Sequence, residues 1–291
     1  YNELCEVFLQ GSDQLLNPFL YKVFNGNFLL DWVYESKKKI GYALSFGHKN
    51  IKYPYNIQEE MKFNLSRFDS LSVREETAVN IMSDLFGIST DCVLDPVFLC
   101  NKKHYLKLIQ KQQICGKYMF AYILDMNSKK LKIIEKIKNE MHLNYIIQGD
   151  AAKEKTSNII CIEEWLSQIY FSDFIITDSF HGMCFCLIFE KQFIVLNNNN
   201  RGSSRFETLL SKLGLAELLI ENEDIDFKNM NRINYDSVNK KIDELRKNSF
   251  MWLDNSLRME KHTNTSDSIY TVLMNKISYL ENELQKIKEN M

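Results

Sequence analysis

Short apolar runs alternate with longer amphipathic stretches along this chain, the pattern of a sheet with helices packed against it. Residues 7–9 and 40–45 read as buried strands, the first running into Gly11-Ser12-Asp13-Gln14 and the second into Phe46-Gly47. Residues 57–65 have helical spacing, residues 70–73 form a short strand, and residues 75–86 form a helix closed by Gly87 as a C-terminal cap. Arg74 therefore falls on a strand-to-helix turn. Asp95-Pro96 ends this half, because proline continues neither a ladder nor a helix interior.

From Lys117 the alternation restarts. Strands are predicted at 118–124, 144–148, 174–177 and 193–196, and helices at 130–141, 162–170 and 182–190, followed by 206–213 and 238–253. The class is α/β, with two units meeting at a cleft and a hinge between about Pro96 and Gly116. The expected division is an N-terminal domain over 1–100, a second over 115–235, and C-terminal helices over 236–291. The last of these carry Leu273, Ile277, Leu280, Leu284 and Ile287 at spacings of four and three. Such a short heptad seam predicts weak homo-oligomerisation through residues 268–290.

Parallel sheets bind ligands beyond the carboxyl ends of their strands. The residues to inspect are therefore Gly11 to Gln14, Arg74, Gly149-Asp150, Asp178 to Gly182 and Asn197 to Arg205. In Thr177-Asp178-Ser179-Phe180-His181-Gly182 a strand gives way to a helix expected to begin near Gly182. Its first amides, with the Ser179 hydroxyl and the His181 imidazole, form a natural anion site. The plainer reading has Asp178 or Ser179 capping the helix and His181 buried. Arg74 can grip a carboxylate or phosphate through two parallel hydrogen bonds, or make a surface salt bridge to Glu75 or Glu76. Asp13 is a candidate base, with Gln14 and Asn17 holding neighbouring hydroxyls, or the segment is a polar turn. Arg201-Gly202-Ser203-Ser204-Arg205 is a compact basic loop, and Asn197 to Asn200 read as a polar loop rather than a site.

Charge and cysteine content narrow the function. With 36 Lys plus Arg against 38 Asp plus Glu, the net charge of -2 excludes the electrostatic footprint of a nucleic-acid binder. The seven cysteines are odd in number and scattered. Cys184 and Cys186 form a C-x-C without further ligands nearby, so core packing is expected and no metal. No run of about 18 apolar residues and no signal-type start is present. The expected location is the cytoplasm, extending to a peripheral position on the inner face of the membrane.

Taken in order, Gly11-Ser12-Asp13-Gln14 with Asn17, Ser45-Phe46-Gly47, Arg67-Phe68-Asp69 through Arg74-Glu75, Leu94-Asp95-Pro96, Thr177 through Gly182, and Arg201 through Phe206 resemble the polysaccharide pyruvyl transferase family. The resemblance runs from the start to near Leu215. It implies two Rossmann-like domains facing across a cleft, GT-B-like, with a C-terminal helical tail. It also implies that the N-terminal domain lacks the first strand and helix with which members open. The implied activity is transfer of a pyruvyl group from phosphoenolpyruvate to two sugar hydroxyls as a cyclic ketal, in cell-surface polysaccharide (exopolysaccharide) synthesis of the cell envelope. The donor is a substrate, no cofactor or metal is required, and the acceptor is a sugar or lipid-linked glycan.

Carried onto this chain, the resemblance has Arg74 and His181 hold the donor's carboxylate and phosphate, with His181 also the candidate proton donor; Asp13 is the candidate base, and Asp178, Ser179, Gly182, Arg201 and Arg205 are the further candidate donor contacts. Ser12, Gln14 and Asn17 then hold the acceptor. Several members have Arg-Leu before the motif histidine where this chain has Ser179-Phe180, and Arg201 or Arg205 can supply the cation instead. The rival readings are a glycosyltransferase using a nucleotide sugar, with Glu163 or Glu164 on the ribose, and a non-catalytic assembly subunit using the C-terminal seam.

Overall fold

The computed structural model describes residues 1–24, 27–110, 117–149, 160–198, 200–221, 231–261 and 277. Two separate, wholly parallel sheets organise the chain. The first has the order β1 (Val7–Gln10), β2 (Lys38–Leu44), β3 (Ser70–Val73), β4 (Asp91–Cys92). Three helices accompany it: α1 (Pro18–Phe24), α2 (Tyr55–Ser66) and α3 (Glu76–Ile81). The helix expected over 75–86 changes pitch at Met82, where a π-helical turn through Phe86 follows α3, and Gly87 caps it at φ 69° as anticipated. Helix α1 is absent from the sequence reading. It starts at Pro18, which fits a first helical turn, and Asn17 Oδ1 accepts the Phe19 amide at 3.0 Å.

Short α4 (Lys102–Leu106) leads toward the second sheet, whose order is β6 (Asn144–Gly149), β5 (Tyr118–Ile123), β7 (Phe174–Thr177), β8 (Phe193–Leu196), β9 (Leu219–Ile220). Chain direction along this sheet reverses between β5 and β7, the switch point where open α/β sheets part their loops. Four helices intervene: α5 (Ser128–Met141), α6 (Ile162–Phe171), α7 (Phe180–Ile188) and α8 (Ser204–Leu213). Strand β7 and all but one residue of α7 are buried, so their near-continuous apolar sequence reflects burial on both faces. Cys184 and Cys186 lie in that core as expected, and burial drives both thiol pKa values up.

Helix α9 (Tyr235–Arg258) serves both units. Val238 and Ile242 pack into the α7–α8 core, while Trp252 and Leu253 cover Tyr42, Ala43 and Val93 of the first unit. Polar anchors fix the second contact: the Leu94 amide donates to Ser249 Oγ (2.9 Å), and Trp252 Nε1 donates to Asp91 Oδ2 (3.0 Å). The heptad seam at 268–290 falls outside the described residues, except Ile277. Among the described residues no helix is long and apolar enough to cross a membrane.

Ser249→Ala should remove the only side-chain acceptor of the buried Leu94 amide, costing about 1–3 kcal/mol. Urea denaturation should show the midpoint falling at unchanged slope.

Candidate active site

Arg74 sits at the end of β3, buried with its side chain 1% exposed, so the surface salt bridge weighed from sequence does not form. Its Nη1 donates to Asp95 Oδ2 at 2.6 Å and its Nη2 to Asp13 Oδ1 at 3.1 Å. Burial opposes the charge, but Asp95, Glu75 and Asp13 together hold its pKa above the ordinary value. Asp95 is as buried as Arg74, whereas the Asp13 side chain is 60% exposed. The guanidinium thus has one fixed partner and one at the surface. Glu75 faces elsewhere: its Oε1 accepts from Ser45 Oγ, Phe46 N and Gly47 N and shapes the loop after β2.

A bulge brings these groups together. The β2–β3 register shifts between Gly41 and Leu44, and Ala43 takes φ 54°, a left-handed conformation that costs a β-carbon-bearing residue about 1–3 kcal/mol. Ser72 Oγ accepts the Ala43 amide (3.0 Å), and Ser12 Oγ donates to the Ala43 carbonyl (2.6 Å). The bent strand end presents the Leu44 carbonyl to the Arg74 amide. Ser12 also reaches Asp95 Oδ2 at 3.3 Å, so this predicted acceptor residue is part of the Asp95 cradle.

His181 comes from the other sheet. Helix α7 begins at Phe180, two residues before the expected start, so His181 lies in its first turn and Ser179 is the N-cap. Ser179 Oγ accepts the Gly182 amide at 3.2 Å. A β-carbon on Gly182 would stand 2.5 Å from Thr177 Oγ1, so glycine here permits close packing of α7 on its strand. The imidazole is 45% exposed, with Nε2 3.8 Å from the same Asp95 Oδ2 that Arg74 grips. Its pKa is lowered, first by burial and then by the repulsion of Arg74 and Arg205, with Asp95 and Asp13 opposing. Burial pushes Asp13 up, but Arg74, the Gln14 amide and His181 bring it below the usual carboxylate range. His181 is therefore mainly neutral at pH 7 in the ligand-free state, which is not the form of a proton donor, whereas Asp13 is ionised, the form a base requires, and is paired with Arg74.

Several expected donor and acceptor residues have work elsewhere. Asp178 is buried and accepts from Leu124 N (2.6 Å), Asp125 N (3.1 Å), Lys130 Nζ (2.6 Å) and Asn198 Nδ2 (2.9 Å). It closes the β5/β7 switch point, and as a saturated carboxylate it has no place on an anionic donor. Asn198, read from sequence as one of a solvated run, is buried in this network. Arg201 is paired with Asp125, Nε donating to Oδ2 at 2.7 Å. Gln14 Nε2 donates to the Arg201 carbonyl at 2.8 Å, and Ser204 Oγ to the Gly47 carbonyl at 3.0 Å. Gly47 and Gly202 meet here at positive φ, and a β-carbon on Gly202 would come 1.7 Å from the Gly47 oxygen. The Ser-Phe-Gly and Arg-Gly-Ser-Ser-Arg segments are thus the two sides of the junction between the units. Asn17 caps α1 and donates to the Phe46 carbonyl (3.4 Å). Asp150 and Gly116 lie outside the described residues.

Behind Arg74 a cavity of about 210 Å³ is lined by Arg74, Asp95, Phe180, Cys92, Lys212 and Ser249, between elements of both units. Phe180 is the wall they share with the site, its ring 4.9 Å from Arg74 Cζ and 5.3 Å from Arg205 Cζ.

Asp13, Arg74, Asp95 and His181 all lie within one matched family region, while the loop from Arg201 to Arg205 lies just beyond it. A model of the family described as Polysaccharide pyruvyl transferase matches residues 2–200. The chain belongs to that family. No curated protein matches the chain. Among solved structures it is similar to a Thermobaculum terrenum O-GlcNAc transferase mutant, at 9% identity and TM-score 0.37. That match covers 84% of this chain and 49% of the other. Of the family motifs, Arg74, Asp13, Asp95 and His181 meet at one point, while Asp178 and the two glycine loops build its surroundings. Asp95 was legible only as part of Leu94-Asp95-Pro96, with no signal marking it as the shared partner.

Asp178→Ala should leave Lys130 buried without its carboxylate and cost about 3–5 kcal/mol in denaturant unfolding. In the fraction that remains folded, binding of phosphoenolpyruvate should be unchanged, which separates this residue from donor binding.

Proposed function

We propose that this polysaccharide pyruvyl transferase family member transfers the pyruvyl group of phosphoenolpyruvate to two hydroxyls of a sugar or lipid-linked glycan, giving a cyclic ketal destined for a cell-surface polysaccharide. One observation carries the reading: Arg74 and His181, from different sheets, converge on one carboxylate oxygen, Asp95 Oδ2, at 2.6 and 3.8 Å. In this reading residues 1–100 and 115–235 are two domains in a GT-B-like arrangement, and the donor lies between them.

Phosphoenolpyruvate carries a carboxylate and a phosphate on a small enol. Its carboxylate takes the Nη2 of Arg74 in place of Asp13, the exposed partner, while buried Asp95 keeps Nη1 and holds the guanidinium in plane. Asp13, released, turns to the acceptor hydroxyls. Neutral His181 accepts the proton of the first hydroxyl as its oxygen bonds to the donor's C2, and returns that proton to the methylene carbon, which becomes the ketal methyl. The C2–O bond to phosphate then breaks, inorganic phosphate leaves, and the second hydroxyl closes the ring and passes its proton to the Asp13 carboxylate. Junction contacts such as Gln14 to Arg201 and Ser204 to Gly47 keep the units together while water is excluded from the cationic intermediate.

Arg74→Lys should raise the donor dissociation constant by roughly tenfold to a hundredfold, the loss of one charge-assisted contact of about 1.5–3 kcal/mol, in a phosphoenolpyruvate titration. Unchanged affinity would remove Arg74 from the donor site.

The His181 role has its own test in the pH dependence. In the ligand-free protein His181 titrates below its ordinary 6.5, so the neutral, proton-accepting form predominates at pH 7 and is lost as pH falls. The pH profile of kcat/KM for phosphoenolpyruvate should therefore show an acidic limb, and His181→Ala should lower turnover far more than donor affinity while abolishing that limb.

A further inference from the structure

Arg205 lies in the first turn of α8, 6% exposed, in the wall shared by the two units. Its situation differs from that of every other cation around the site. Arg74 is matched by Asp95 and Asp13, Lys130 by Asp178, Arg201 by Asp125 and Lys212 by Glu76. Among the described residues no carboxylate bonds Arg205. Its Nη2 donates only to the Arg201 carbonyl (2.8 Å), and its Nε is buried with no acceptor. Burial lowers its pKa to about 10, with Arg74 the next cause, and Glu75 and Asp13 compensate only partly. Two imidazoles feel the same charge: Arg205 lowers both His181 and His48, the residue after Gly47.

A buried guanidinium that bonds no carboxylate among the described residues, with an orphaned N–H and only partial compensation from Glu75 and Asp13, is costly. The cost is removed by an anion bound against it. The surroundings select which anion. The Phe180 ring lies 5.3 Å from Arg205 Cζ, and helix α7, nine residues long, opens at Phe180 with His181 in its first turn. Such a helix start favours a compact, multiply charged oxyanion. His48 can add a donor once an anion raises its pKa, and neutral His181 can offer its single ring N–H.

We infer that Arg205 is the phosphate-binding cation of this protein: it receives a phosphate dianion, with His181 and His48 at its sides, while Arg74 is reserved for a carboxylate. This deepens the pyruvyl transfer reading, on which only its extension from inorganic phosphate to the phosphoenolpyruvate phosphate group rests. Arg201, whose Nε and Nη2 both meet Asp125, has no part in it.

The probe is inorganic phosphate, titrated calorimetrically into the full chain and into Arg205→Met, Arg205→Lys and Arg201→Met. Arg205→Met should weaken phosphate roughly tenfold to a hundredfold, Arg205→Lys should restore part of that loss, and Arg201→Met should bind as the parent does. Because a buried substitution can unfold the chain, the parent protein supplies an independent reading. With arginine labelled in its side-chain nitrogens, phosphate should shift the Arg205 Nε–H resonance, assigned by its absence from Arg205→Lys. No phosphate binding by the parent, an unmoved Arg205 resonance at saturation, or equal affinity in Arg205→Met would each overturn the assignment. Phosphate binding through Arg205 with no ketal formed from phosphoenolpyruvate and any sugar would retain this site and discard the pyruvyl transfer reading. Turnover that survives with phosphate bound independently of Arg205 would do the reverse.

Discussion

The buried pairing of Arg74 with Asp95 governs the site, because each would be untenable there alone. Both side chains are about 1% exposed, and removing one partner of such a pair leaves a bare charge in the interior at a cost of about 3–5 kcal/mol. That requirement reaches into the sheet. Asp95 must be brought to the end of β3, which the short β4 and the turn at Asp95-Pro96 accomplish, and its second contact, Ser12, must come from the end of β1. The left-handed Ala43 and the bulge in β2 are the backbone consequences, tied down by Ser72 and Ser12 rather than by glycine. Residues far apart in the chain are thereby fixed around one oxygen atom. The imidazole of the other unit then needs only to approach it.

The two units are held by different chemistry on different sides. Near the site the backbones of Gly47 and Gly202 touch, and the Gln14 and Ser204 side chains each donate to a backbone carbonyl of the opposite unit. Such contacts tolerate no side chain but are few and polar, so they suit a junction that opens. On the far side α9 lays one half on each unit, with apolar residues and the Ser249 and Trp252 anchors. The cavity behind Arg74, lined by residues of both units and α9, lies between these two kinds of contact.

How much of this was legible in the sequence follows from the range of the forces involved. Strands 70–73, 174–177 and 193–196 match β3, β7 and β8 residue for residue: β7 and β8 are fully buried and strongly apolar, and β3 alternates serine with Leu71 and Val73. The start of α7 was read two residues late, since Gly182 resembles a helix boundary while its actual purpose is contact with Thr177. Helix α1 was missed because Asn17-Pro18 reads equally as a turn. At the site, the positions of Arg74 and His181 after strands were readable, but their partners were not. Asp95 is 21 residues from Arg74 and Asp13 is 61, and no local pattern encodes such pairings. The same limit made Asp178 resemble a ligand residue, because its four donors are distributed over the turn after β5, α5 and the loop after β8.

The distribution of charge gives the site its chemical asymmetry. Arg74 has two carboxylates, one of them exchangeable, so it can trade Asp13 for a ligand carboxylate with no change in the number of buried charges. Arg205 has none, so a ligand there adds a negative charge that the protein lacks. A molecule bearing both a carboxylate and a phosphate satisfies the two arginines in different ways, by exchange at one and by addition at the other. A ligand with phosphate alone satisfies only Arg205 and leaves Asp13 on Arg74. On the proposed pyruvyl transfer reading, donor and released phosphate would be distinguished by whether Asp13 is freed, and Asp13 would meet an acceptor hydroxyl only while the donor's carboxylate is in place.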